Sequence, residues 1–137
     1  MAVAKWAAPS ARSSNFAGTT LNSLADGSES TAVTYDNSTN RDLYGVVTIK
    51  LGSITPTAGR SITLRVTLND GTDTADRAGG DQYVVPLTSG ASAKVAVINM
   101  IRLYPFSMRL SVINNSGGAF AASGNELYVR PWNEDVT

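Results

Sequence analysis

Beyond residue 30, apolar and polar positions alternate with a period of two along most of this chain. RSITLRVTLN (60–69) is the clearest case, with Ile62, Leu64, Val66 and Leu68 alternating with Thr63, Arg65, Thr67 and Asn69. Successive side chains of a strand point to opposite faces, so this pattern predicts a strand with one buried and one wet face. LYGVVTIKL (43–51) sets Leu43, Val47, Ile49 and Leu51 on one face, and Tyr44, Val46, Thr48 and Lys50 on the other. LYPFSMRLSVIN (103–114) groups Phe106, Met108, Leu110 and Val112, while NELYVRPW (125–132) turns Leu127 and Val129 inward and Tyr128 and Arg130 outward. TAVTY (31–35) and QYVVPL (82–87) are shorter strands; Pro86 cannot donate to a ladder, which predicts a sheet edge for the second. AKVAVINMIRL (93–103) is more continuously apolar and reads as a strand covered on both faces.

DNSTNRD (36–42), GSITPTAG (52–59), TSGAS (88–92) and NNSGG (114–118) separate these runs. Their Gly, Pro, Asn, Asp and Ser residues favour turns. Seven or eight strands and no convincing helix predict an all-β fold, an antiparallel β-sandwich of jelly-roll type. The dipeptide Leu-Tyr recurs at 43–44, 103–104 and 127–128, but with unequal spacing and unlike flanks, so it reflects strand composition rather than a repeat. Residues 1–30 hold no period, and Trp6, Phe16, Leu21 and Leu24 stand isolated among Ala, Ser, Thr, Asn and Gly. They read as an extended N-terminal arm (1–30) before a β-sandwich domain (31–137). Trp6 and Phe16 carry large apolar faces that need cover, from their own domain or from a neighbouring subunit.

Composition narrows the chemistry. A single domain of 137 residues can bury roughly two-thirds of its unfolded surface. With no Cys and no His, disulfides, thiolate chemistry, cysteine-ligated zinc and any histidine-dependent triad are excluded. Eleven basic and eleven acidic residues cancel, and the basic ones are scattered singly, which argues against nucleic-acid binding. No apolar run approaches the length of a membrane span, and MAVAKWAAPSARSSN lacks a signal-peptide core. Charged residues are only 16% of the chain, against roughly 25% in a typical domain. Such a surface is cheap to desolvate, which suits a life in contact with other proteins.

NDGTDTADRAGGD (69–81) places Asp70, Asp73, Asp76 and Asp81 in thirteen residues. An EF-hand needs alternating ligands, a central Gly and a distant Glu, and none of these is in place. The loop reads first as a solvated or partner-facing connection, then as an irregular calcium site, and last as catalytic carboxylates. Lys50 and Lys94 read as surface lysines, and the glycines at 79, 80 and 90 open no helix that could cradle phosphate. Arg102 and Arg109 flank Tyr104-Pro105-Phe106, as a local brace or a contact patch. Tyr128, Arg130 and Trp132, with Tyr104, form the densest polar-aromatic set, fit for a subunit interface or for stacking sugar rings. The expected partner-contact residues are therefore Trp6, Phe16, Tyr104, Phe106, Tyr128, Arg130 and Trp132. No catalytic, cofactor-binding or metal-binding residue is expected.

The strings VTYDNSTNRDLYGVVTIKLGSITP (33–56), VPLTSGASAKV (85–95), IRLYPFSMRLSVINNSGG (101–118) and NELYVRPWNEDV (125–136) resemble a group of small virion structural proteins of tailed bacteriophages. The likeness is one of general pattern and covers most of the chain beyond the arm. It implies a non-enzymatic, cofactor-free part of the virion, made in the host cytoplasm and mounted on the phage head as a capsid decoration (cement) protein. It also implies a homo-oligomer, most often a trimer, that binds the major capsid protein and grips neighbours with extended arms. A carbohydrate- or receptor-binding tail module, with Tyr104, Tyr128 and Trp132 stacking sugars, is the alternative.

Overall fold

The computed structural model describes residues 3–15, 18–70, 72–75 and 80–136. Among these the chain forms β1 (Ala4–Trp6), a single turn α1 (Gly18–Leu21), β2 (Val33–Asp36), β3 (Tyr44–Ile54), β4 (Ser61–Thr67), β5 (Asp81–Pro86), β6 (Ser92–Arg102), β7 (Ser107–Asn115), β8 (Glu126–Trp132) and β9 (Glu134–Val136). The fold is all-β and its strand pairs are antiparallel. One sheet has the order β2-β7-β4-β5, the other β6-β3-β8, and β1 pairs with β9 in a short ribbon. The nine strands among the described residues exceed the expected seven or eight because β1 and β9 are three-residue pieces with no periodic signal.

Among the described residues one apolar cluster lies between the two sheets. Val47, Ile49 and Leu51 of β3 and Leu127 and Val129 of β8 meet Ile62, Leu64 and Val66 of β4 and Met108, Leu110 and Val112 of β7. Each is at most 2% exposed, as the period of two requires. A fully buried side chain of this size contributes about 1.5–3 kcal/mol. Pro86 ends β5 at the outer edge of its sheet, where its missing N–H leaves no ladder bond unmade.

Several expectations change. Leu43 lies just before β3 and is 44% exposed, because the strand starts one residue later. The outer face of β4 is not wet: Thr63 and Thr67 are buried, and Arg65 lies along the sheet in an ion pair with Glu29 at 2.9 Å. Conversely β6 is covered on one face only, since Val95, Val97 and Met100 remain exposed. Phe106 sits in the turn ahead of β7, outside the buried row of Met108, Leu110 and Val112.

Residues 3–15 and 18–30 behave differently. Residues 7–13 follow the free edge of β8, with the N–H groups of Ala7, Ser10 and Ser13 donating to the carbonyls of Asn133, Pro131 and Val129. Ser13 Oγ accepts from the Val129 N–H at 2.9 Å, and Asn15 Oδ1 from the Leu127 N–H at 3.1 Å. The arm thus supplies partners that an edge strand otherwise lacks. Residues 18–30 are woven into the body. Leu21 is fully buried, Ser30 exchanges bonds with Val112, and Gly27 and Ser28 bond Asn114.

A candidate contact face

The outer surface of β6-β3-β8 is built by register. Across β3 and β8, Tyr44 opposes Trp132, Val46 opposes Arg130, Thr48 opposes Tyr128 and Lys50 opposes Glu126. Across β3 and β6, Thr48 opposes Val97 and Lys50 opposes Val95. Directly opposed residues share a face and touch. The result is a surface graded from charged residues on β8 to bare aliphatic ones on β6.

Trp132 is its aromatic centre. Tyr44 stacks on it, with ring centroids 4.4 Å apart and planes at 24°. Trp6 meets it edge-on at 4.5 Å and 81°, brought there by the pairing of β1 with β9. Trp6 nevertheless stays 70% exposed. Trp6, Ala7, Pro9, Val46, Asn99 and Trp132 line an open groove of about 410 Å³. It is shallow and apolar, a shape suited to a protruding side chain more than to an enclosed substrate.

The neighbouring polar end is internally satisfied. The Arg12 guanidinium lies 3.6 Å above the centre of the Tyr128 ring. The Tyr128 hydroxyl donates to Glu126 at 2.7 Å, and Lys50 pairs with Glu126 at 3.3 Å. The Tyr128 hydrogen bond, followed by Lys50, holds the Glu126 carboxyl below its usual range, and the same bond raises the Tyr128 phenol. With Arg12 on its ring, that face of Tyr128 is covered.

The expected contact residues therefore separate. Trp6, Tyr128, Arg130 and Trp132 share this face, with Arg130 exposed beside Val46. Tyr104 does not join them: it packs against the core, its carbonyl accepts from Asn37 Nδ2 at 2.8 Å, and the Arg102 guanidinium lies 5.9 Å from its ring. Phe106, 37% exposed, lies in its turn away from the groove. Phe16 lies outside the described residues. Arg12, Tyr44, Val46, Val95, Val97 and Met100 were missed. The alternation already turned Tyr44 and Val46 outward, but which strands flank β3, and in what register, is a tertiary fact.

In the aspartate-rich connection, Asp70 accepts from the N–H groups of Thr72 and Asp73 at 2.8 and 2.7 Å. These bonds hold its carboxyl below the usual range, the Asp73 one most strongly. Asn69 Nδ2 donates to Thr74 Oγ1, and the Ala75 N–H to the Leu68 carbonyl. This half of the loop is a self-bonded turn, and Asp76 lies outside the described residues. Among the described residues no three Asp or Glu side chains cluster as metal ligands would.

No protein-family model, curated protein or solved structure matches the chain.

Proposed function

We propose that this chain is a capsid decoration (cement) protein of a tailed-phage head, acting by contact with the major capsid protein and with copies of itself. The observation that carries the reading is the exposed face around Trp6 and Trp132. Aromatic side chains left open in a shallow apolar groove, on a surface poor in charge, are the anchors of protein interfaces. The resemblance to small virion proteins supplies the setting. A body bound across capsomer junctions shifts the shell toward its assembled state by mass action.

The jelly-roll reading belongs to this proposal. With the arm counted as a first strand on β8, the pairs are first with eighth, β2 with β7, β3 with β6 and β4 with β5. That nested order supports a jelly roll, a double-sheet fold common in viral shells.

Co-sedimentation with capsid shells lacking the protein tests the role. Wild type should bind saturably, and Trp6→Ala and Trp132→Ala should bind much more weakly while keeping their circular dichroism. Undiminished binding by both variants rejects this face. The groove also supports a second reading, a tail module binding carbohydrate, with Trp132 as the stacking ring. Saturable binding on a glycan array, lost in Trp132→Ala, would favour it instead.

A further inference from the structure

Sheet edges present unpaired main-chain groups, and folded proteins blunt them. Among the described residues, three of the four edges of the two main sheets are blunted. Residues 7–15 cover β8. β5 is short and ends in Pro86. β2 is four residues long. The exception is β6, eleven residues long, which among the described residues pairs only with β3. Its one early lysine does not guard it. Lys94 is turned inward, and its Nζ donates to the Gly90 carbonyl at 2.9 Å and to Ser92 Oγ at 2.8 Å. From Val95 to Ile101 the strand carries no charge.

The side chains along this edge are unusual too. Val95, Val97 and Met100 are 61%, 47% and 57% exposed, so apolarity on the outer face rises toward the open edge. A permanent solvent edge calls for the opposite gradient. In a sheet continued past β6, these residues would lie at the centre.

We propose that β6 pairs antiparallel with β6 of a second copy about a two-fold axis, joining two three-stranded sheets into one of six. The uncharged run makes the strand self-complementary, since no like charges face each other across the axis. An axis near Ala96 sets Val95 against Val97 of the second copy, and both against water's exclusion. Residues 94–98 keep an unbroken register with β3, whereas the register shifts between Ser92 and Lys94 and again between Ile98 and Ile101. Pairing is therefore confined to these five residues, centred on Ala96, and the irregularities turn the two ends of the strand away. β5, the edge of the other sheet, packs beside β6 on the same flank. The five paired residues, with β5 beside them, present roughly 17 Å by 20 Å, ~340 Å² per copy against the ~800 Å² of a stable interface, so the dimer is weak and forms only at high concentration. This pairing is isologous and makes dimers. It does not depend on the shell role.

Light scattering after size exclusion, from micromolar to near-millimolar protein, tests it together with amide exchange read by mass spectrometry. The expected result is a concentration-dependent dimer with amides in 94–98 protected only in the dimer. Val97→Lys should weaken the dimer by about tenfold or more, since it places a charge in the paired apolar row; Val97→Thr should change it little. A monomer throughout, a trimer, a dimer without protection in 94–98, or a dimer unaffected by Val97→Lys would each overturn the proposal. If Val97→Lys does not fold, the exchange pattern of wild type decides alone. Shell binding is a separate measurement, so either idea can fail without the other.

Discussion

Trp6 stands edge-on to Trp132, ring centroids 4.5 Å apart, and this contact joins the N-terminal arm to the last long strand. The joint is thin in energy, because Trp6 remains 70% exposed and an aromatic pair contributes about 0.5–1.5 kcal/mol beyond burial. Trp6→Ala should therefore lower stability by no more than about 1.5 kcal/mol in urea unfolding. Shell binding should fall by tenfold or more in the same variant. Losses of equal size in both measurements would mean that Trp6 merely holds the arm down.

The arm's main-chain bonds make a graded prediction. Removing residues 2–8 deletes β1 and the Ala7 bond but keeps Ser10, Ser13 and Asn15 on β8. That protein should fold and stay soluble. Removing residues 2–15 uncovers the edge of β8, and aggregation should rise sharply, as measured by light scattering against concentration. Ser13→Ala alone leaves the Val129 N–H without its acceptor and should cost about 1 kcal/mol.

The strands were legible because the period of two is local. It placed Ile62, Leu64 and Val66 inward, and Leu127 and Val129 likewise, from their own neighbours alone. What covers a face is not local. Thr63 and Thr67 looked like solvent positions and are buried, while Val95 and Val97 looked like core and are exposed. Nor did the arm's boundary show, since Leu21 enters the core from a segment without period. The asparagines were the least readable. Asn37, Asn114 and Asn125 sit in turn-like runs, yet all three are at most 3% exposed. Each ties together segments distant in sequence: Asn37 reaches Tyr104, Asn114 reaches Leu24, and Asn125 reaches Asn22. A turn former and an internal clamp have the same side chain, and only the partner tells them apart.

Asn114 gives the sharpest test of such a clamp. Its amide nitrogen donates to the carbonyls of Leu24 and Gly118, both at 2.8 Å. Its amide oxygen accepts from the Ser116 N–H and hydroxyl. Asn114→Ala strands several polar groups in a dry site, each worth about 1–3 kcal/mol when left unpaired. The expected loss is about 3 kcal/mol or more. Asn114→Asp keeps the shape but turns a donor toward two carbonyls into an acceptor, so it should do no better. Thermal unfolding of both variants checks this. A loss near zero would mean that water fills the bonds.

Stability should be flat through neutrality and fall in acid. The chain has no histidine, so no side chain ordinarily titrates between pH 6 and 8. Among the described residues three carboxyls are held below their usual range: Asp36 by Ser38, Asp70 by the Asp73 and Thr72 N–H groups, and Glu126 by Tyr128 and Lys50. A carboxyl lowered in the folded state binds protons less readily than in the unfolded chain, so its contribution is present above the unfolded values of 3.8 and 4.5. It is lost as the pH drops through the folded values. The urea midpoint should thus hold steady from neutrality to about pH 5 and decline below about pH 4. Tyr35 and Tyr83 are raised by burial and Tyr128 by its bond to Glu126, so a second decline belongs above their ordinary value of 10.0. The Lys50–Glu126 share should weaken with salt, because that pair is open to solvent, whereas the Asp70 share rests on short hydrogen bonds within its own turn. Glu126→Gln should therefore remove most of the salt sensitivity of the acid limb, and Asp70→Asn very little.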